Sequence, residues 1–354
     1  MSEQLIRDAW FWQAAVCETM GAPFTAAVLR CMIEDDGARA ALAPILAPYD
    51  DPSARALLTA AMPLRILGGL HFLVLSGAAP ALAASYASGG TDGLGPLVAE
   101  AARAHAAVLA RFMTSPPQTN EVRRALALVG GFLTVAQQTG LPLRCFELGA
   151  SAGLNMNWDR YAYVFGASDS AEARRWGDAG SPLTLSGDWI GESPPLHAKV
   201  SVVEKRACDQ APIDVRSEEG ALRLQAYIWP EQIDRLDRVR AAIGLARRTD
   251  IRVETADAAD WAKANVTPKN GTATVVYHSS FLQYPPPEVQ AAIVGAIEAA
   301  GEGATNAAPL AWLRKEPSGE AFTHDEVRLT LWPGGEDRLL ATAHPHGASV
   351  NWLA

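Results

Sequence analysis

The stretch Leu143–Asn155, LRCFELGASAGLN, decides the fold. Leu143, Cys145, Phe146 and Leu148 make a short apolar run of strand length, which Gly149 breaks. Gly153 then opens Leu154–Tyr163, a stretch with helical spacing. A strand, a glycine-marked turn and a helix N-terminus form the place where α/β proteins hold ligands, because the backbone N–H groups of the turn point outward without partners. Downstream, apolar runs at Lys199–Glu204, Ile251–Thr255, Thr272–His278 and Pro309–Leu313 alternate with helical stretches at Glu231–Arg248, Ala258–Ala264 and Pro287–Ala300. That alternation predicts right-handed βαβ crossovers and a mostly parallel sheet. Arg328–Trp332 and Arg338–Ala343, joined through Pro333-Gly334-Gly335, predict an antiparallel hairpin at the end. Between the first helix and the second strand lies an insertion at about 165–198, in which Leu183–Leu185 and Asp188–Ile190 are expected to pair as a small hairpin.

Upstream of Pro142 the texture is helical. Helices are expected at Leu5–Met20, from Pro23 to about Ile33, and at Arg55–Ser76, Ala79–Tyr86, Pro96–Met113 and Glu121–Thr139. Pro44, Pro48 and Pro52 read as punctuation of a loop, with Asp51 capping a helix that has Pro52 at its first position. The chain therefore reads as an all-α domain, residues 1–140, followed by an α/β domain, residues 141–354. Its 354 residues suffice for both cores.

Composition narrows the partners. Hydrophobic residues make up 49% of the chain and charged residues 19%, which excludes a mainly disordered protein. A formal charge of −9, with basic residues only in dispersed pairs such as Arg123–Arg124 and Arg247–Arg248, argues against nucleic acid. Cys17, Cys31, Cys145 and Cys208 show no C-x-x-C spacing, which fits a reducing cytosol, and MSEQLIRDAW lacks the pattern of a signal peptide; a cytoplasmic location is expected. Ile66–Tyr86 lacks charge, but Gly68, Gly69, Gly77 and Pro80 interrupt it, so it reads as a buried helix hairpin rather than a membrane span. His344 and His346 have no carboxylate or cysteine at a useful spacing, so no metal site is expected.

Three chemistries compete for the glycine loop. A dinucleotide needs G-x-G-x-x-G, and here Ser151 and Leu154 stand at the second and third glycine positions. Gly149-Ala150-Ser151-Ala152-Gly153 matches G-x-S-x-G, and Asp257 with His344 or His346 follows in triad order, but only helices precede Ser151 and no oxyanion-loop motif is present. A methyl donor fits best. S-adenosylmethionine carries no phosphate, so its loop needs small residues rather than three fixed glycines, while its ammonium, ribose diol and adenine amine call for acidic side chains at strand ends. Glu147 precedes the loop, Glu204 ends the second strand, and Asp257 follows the third, just before Ala258. They are the candidates for the ammonium, the ribose and the adenine, respectively. Asp209 is a rival to Glu204, because the gap from Gly153 to Glu204 is about 50 residues.

These motifs resemble those of class I S-adenosylmethionine-dependent methyltransferases over about Leu143–Ala354. More specifically, nearly the whole chain resembles a bacterial family catalogued as domain of unknown function 2332. The resemblance rests on FELGASAGLN with Trp158-Asp159-Arg160-Tyr161, on Val202–Asp214 and on Tyr227–Leu236. It rests also on Leu64-Arg65 with Gly69-Leu70-His71, and on His278–Pro286. It implies a Rossmann-like methyltransferase fold and a donor site built on Glu147, Gly149, Ala150, Ser151, Gly153, Asn155, Glu204, Asp257 and Ala258. It implies no particular reaction. The fourth strand ends in HSSF rather than the Asn/Asp-Pro-Pro-Tyr of many amine methylases, so nitrogen methylation is not indicated.

Methyl transfer mainly requires alignment and removal of the acceptor's proton. His278 is the candidate base, Gln283 and Tyr284 are placed to orient an acceptor, and Tyr227 and Trp229 are candidate walls for the adenine or the acceptor. Trp158, Tyr161 and Tyr163 read as helix–sheet packing, and His71 as a core histidine. The helical domain is expected to cap the carboxyl edge of the sheet and enclose a small-molecule acceptor. The expected function is methyl transfer to that small molecule. A non-catalytic binding or sensor protein, and a serine hydrolase acting through Ser151, are the alternatives. The sequence assigns no oligomeric state.

Overall fold

In the computed structural model, which describes residues 3–49, 53–166, 173–318 and 324–354, the chain opens with helices. They are α1 (Glu3–Thr19), α2 (Pro23–Glu34), α3 (Asp36–Leu46), α4 (Ala54–Thr59), α5 (Met62–Leu75), α6 (Pro80–Ser88), α7 (Leu94–Ala104), α8 (Ala106–Met113) and α9 (Arg124–Thr139). Then come β1 (Leu143–Leu148), a 3-10 helix (Leu154–Arg160), β2 (Ala162–Phe165), β3 (Arg174–Gly177), β4 (Thr184–Ile190) and β5 (Val202–Asp209). They are followed by α10 (Glu218–Ala226), α11 (Ile233–Ala246), β6 (Val253–Thr255), α12 (Ala258–Asn265), β7 (Ala273–Ser279) and α13 (Pro287–Glu302). The chain closes with β8 (Leu310–Ser318), β9 (His324–Trp332), β10 (Glu336–Ala343) and β11 (Ser349–Trp352).

The fold is mixed α/β with a large, mostly parallel sheet in the order β3-β2-β4-β11-β10-β9-β8-β7-β1-β5-β6. The run β6-β5-β1-β7-β8 is parallel throughout. From β8 to β11 the strands are antiparallel, so the expected terminal hairpin is present as β9–β10. On either side of β1 the chain order reverses, with β5 one way and β7 the other.

Residues group into two units: Met1–Thr119 with Val215–Arg240, and Asn120–Asp214 with Ala241–Ala354. The division differs from the expected boundary at 140 for two physical reasons. Helix α9 is apolar on every face, buried from Ala125 to Ala136, and belongs to the sheet unit. Its Gly130 and Gly131 admit neighbours that a side chain would exclude, since an added Cβ would lie 2.3 Å from Trp352 and 2.3 Å from Leu313 respectively. In the other direction, α10 and the segment after it return to the helical unit. There the Tyr227 ring seats on Gly68, the His71 Nδ1 donates to Ala226 O (3.3 Å), and the Glu231 carboxylate accepts from Thr25 N (2.8 Å) and Thr25 Oγ1 (2.6 Å) at the start of α2. Burial pushes His71 down to about 4, so its ring stays neutral in this contact. Gly68→Val should therefore lower the melting temperature, because its Cβ would lie 2.5 Å from the Tyr227 ring; a cost of about 1–3 kcal/mol is expected in denaturant unfolding.

Several local expectations are corrected. Leu154–Tyr163 is not an α-helix. Leu154–Arg160 is a 3-10 helix kinked at Asn157 (φ −90°, ψ 16°), its Leu154 and Trp158 carbonyls accept from the Tyr161 and Tyr163 hydroxyls (2.5 and 2.6 Å), and Ala162–Phe165 is already strand β2. Arg55–Ser76 is two helices, α4 and α5, broken where Ala61 takes a positive φ of 54°. Pro96–Met113 likewise breaks at His105, between α7 and α8. Pro44 lies inside α3 rather than in a loop, and Ser53 caps α4 by accepting from Ala56 N. Asp51 and Pro52 lie outside the described residues, as does part of the 165–198 insertion. The expected hairpin of Leu183–Leu185 with Asp188–Ile190 is absent: Thr184–Ile190 is one strand, β4, paired in parallel with β2 and β11. The uncharged stretch is two helices, α5 and α6, as expected, but they meet at a bend of 103°, a near-perpendicular corner rather than an antiparallel hairpin; among the described residues no single helix is long and apolar enough to cross a membrane.

Candidate functional site

Residue placement at the carboxyl ends of β1, β5, β6 and β7 follows from register. Arg144 pairs with Glu204 and Leu148 with Cys208, so Asp209, not Glu204, stands level with the glycine loop. Glu204 lies near the opposite end, in an ion pair with the largely buried Arg144 guanidinium (2.6 Å). Strand β5 runs over Val202–Asp209 rather than the expected Lys199–Glu204, and it continues past Glu204 because its charged residues stay within the sheet, each with a partner: Glu204 with Arg144, Lys205 with Asp159, and Arg206 with Glu254. An apolar-run criterion misses such a strand.

The loop itself is tightly anchored. Ala150 N donates to Cys208 O (3.1 Å), Ser151 N to the Asp209 carboxylate (2.8 Å), and Leu154 N to the Asn120 side chain (2.8 Å). Gly149 and Gly153 have positive φ (65° and 70°), and so does Ser151 (55°), a conformation that costs a non-glycine residue of order 1 kcal/mol or more. An added Cβ at Gly149 would lie 2.1 Å from the Phe281 ring, and at Gly153 it would lie 2.9 Å from Val253. These glycines are demanded by backbone conformation and by packing. Asp209 accepts a second N–H from Ala211 (2.9 Å). Asp257 caps α12 through Oδ1, which accepts from Ala259 and Asp260 N (2.9 and 3.2 Å), and Ala258 is buried as the first residue of that helix.

Glu147 is 3% exposed and accepts from the Tyr277 hydroxyl (3.1 Å). Burial pushes its carboxyl up to about 8, the Tyr277 bond lowers it, and the neighbouring Asp209 charge adds to the rise. Between pH 4.5 and 8 the folded protein thus holds a proton that the unfolded chain has released, and this contribution to stability falls as pH rises through that window. Glu147→Gln should flatten that part of the stability profile, gaining on the parent at pH 8.5 relative to pH 5 in denaturant unfolding.

His278 is fully buried. Its Nδ1 donates to Glu316 (2.5 Å) and its Nε2 accepts from the Trp312 indole N–H (2.9 Å). Both ring nitrogens are committed, so in this geometry the ring is a structural node rather than the open base expected from the sequence. The same Glu316 carboxylate accepts from Phe281 N and Leu282 N (3.0 and 3.2 Å) and holds the turn that follows β7. Gln283 is exposed and Tyr284 is 76% exposed just beyond. Tyr227 and Trp229 belong to the core of the helical unit, where Tyr227 packs on Phe112. The triad elements of the hydrolase reading are not assembled: the Ser151 Oγ is buried without a hydrogen-bond partner, Asp257 caps a helix, and the His344 Nδ1 accepts from His346 N (3.0 Å).

Sequence reasoning missed a buried charged node at the same edge. Lys315, wholly buried, pairs with the equally buried Asp325 and donates to Pro345 O (3.1 Å). Ser280, at φ 47°, donates its N–H to Lys315 O (2.8 Å). Arg124, the first residue of α9, donates to Ser279 O and Pro345 O (both 3.3 Å). The signal was parity: Lys315 shares its strand face with Leu313, and Asp325 with Val327 and Leu329, all buried. Asn155 adds a buried side chain whose Nδ2 donates to Glu121 O (3.3 Å) and whose Oδ1 has no partner. Among the described residues no group of three or more His, Cys, Asp or Glu side chains is placed to hold a metal ion.

Fold and site together define a mixed α/β protein whose acidic residues and strained loop gather where the strand order reverses, at the carboxyl ends of β1 and β7. The chain belongs to a family described as "uncharacterized protein conserved in bacteria (DUF2332)", whose model matches residues 7–352. No curated protein and no solved structure matches it.

Proposed function

We propose that this edge binds S-adenosylmethionine and that the protein transfers its methyl group to a small molecule. The observation that carries the reading is the alignment of the 149–153 loop, Asp209 and Asp257 on the adjacent parallel strands β1, β5 and β6. The parallel run β6-β5-β1-β7-β8 matches the 3-2-1-4-5 part of doubly wound sheets, which take nucleosides outside the carboxyl ends at the reversal. This supports a Rossmann-like methyltransferase fold. The donor set suits the ligand: Asp209 is fixed beside the loop for the ribose diol, Asp257 has Oδ2 available beyond its cap for the adenine amine, and Glu147, which keeps its proton up to about pH 8, offers the ammonium a neutral carboxyl acceptor. When bound, the group supplies an activated methyl on a sulfonium. The chain's own residues then hold and orient it, and the buried Ser151 and Asn155 oxygens offer further acceptors.

Asp209→Ala should weaken binding by about 1.5–3 kcal/mol, the scale of a hydrogen bond to a charged group. Glu204→Ala should leave it unchanged, because Glu204 lies near the far end of its strand. The reverse ranking in a calorimetric titration sinks the assignment. A second reading, a binding protein without turnover, is favoured by the commitment of both His278 nitrogens. Product formation distinguishes the two.

A further inference from the structure

The helical unit contains a cleft of about 470 Å³ between α1, α2 and α3, a volume typical of small-molecule sites. It has two chemically distinct ends. Trp10, Met32, Leu42 and Leu46 make one end apolar, and on its α3 side Ala43 and Ala47 keep the space open. At the other end, Arg7 and Arg39 both donate to Ile33 O (3.1 Å each) in the last turn of α2. Arg39 is already matched by Glu3 (3.2 Å) and Asp36 (2.5 Å). Arg7 is not: among the described residues it has no carboxylate partner, lies against the Phe11 ring, and spends one N–H donor on Ile33 O. A guanidinium has five such donors.

We infer that this cleft binds an amphipathic monocarboxylate, its alkyl or aryl tail on the apolar floor and its carboxylate on Arg7. Charge complementarity at Arg7 selects an anion, and the apolar floor of Trp10, Met32, Leu42 and Leu46 selects a hydrocarbon tail. Capping of α2 alone explains the Ile33 contact but not the open apolar volume beside it. The inference is independent of the methyl-donor reading.

The test is isothermal titration of the full chain with sodium decanoate, and with decyltrimethylammonium as the cation of equal chain length. The expected result is saturable one-to-one binding of decanoate, at least tenfold weaker binding of the cation, at least tenfold weakening of decanoate by Arg7→Gln, and loss in Ala43→Phe, which fills the cleft. Circular dichroism melting checks that both variants fold; Arg7→Gln alone decides if Ala43→Phe does not. Absence of saturable binding, equal binding of anion and cation, or an unchanged Arg7→Gln affinity overturns the inference. So does a dimer in sedimentation that Ala43→Phe dissociates, since a second copy would then be the occupant.

Discussion

Gly149→Val should abolish binding of S-adenosylmethionine and destabilise the sheet unit by on the order of 3–5 kcal/mol. Two costs combine. Valine is β-branched and strongly disfavours the φ of 65° found there, and its Cβ would lie 2.1 Å from the Phe281 ring. The half-buried Phe281 ring is packed against the Phe146–Trp261 cluster and edge-on to His278, which limits how far it can yield. The two costs are separable. In a Phe281→Ala background, Gly149→Ala should cost only the backbone strain of about 1–2 kcal/mol, whereas in the parent it should cost clearly more. Equal costs in both backgrounds, measured by urea unfolding, would show that Phe281 does not constrain the loop.

Asp325→Ala should cost about 3–5 kcal/mol, since removing one partner leaves a buried ammonium without its counter-charge. Lys315 is wholly buried, and burial has already pushed its pKa down to about 8 even with Asp325 present. The variant should therefore drive Lys315 to the neutral form. The pH dependence has a definite sign. In the parent, the unfolded chain binds more protons than the folded one between pH 8 and 10.5, so this group's contribution to stability rises across that window. In Asp325→Ala the rise should begin at lower pH. The double variant Lys315→Met/Asp325→Leu should recover much of the loss, because a buried ion pair replaced by apolar groups is often neutral or better. Failure of the single variant to destabilise would mean that water reaches Lys315.

Much of the parallel sheet was legible because its strands are short apolar runs. Strand β1 was read residue for residue, and β7 and α12 to within a residue of each end. What escaped the reading had specific causes. Strand β5 is charged, with ion pairs in place of apolar contacts. The stretch after the loop has helical spacing, yet it forms only a kinked 3-10 helix that gives way to β2 after Arg160. Helix α9 is legible as a helix; its all-round apolar surface and Gly130-Gly131 pair mark a helix buried against a sheet, and it groups with the sheet unit rather than with residues 1–119. Within the site, the loop and Asp257 were legible from local motif, and Asp209 only as a rival. The partners of His278, Glu316 and Trp312, come from the next strand and could not be read from local sequence. Pairing across strands is a non-local fact, and it turned the candidate base into a scaffold residue.

The most direct test of the central proposal is calorimetric titration of the purified protein with S-adenosylmethionine and S-adenosylhomocysteine. The account predicts binding of both with Kd on the order of micromolar, about −8 kcal/mol, weakened by Asp209→Ala and untouched by Glu204→Ala. No heat of binding with either ligand would contradict it.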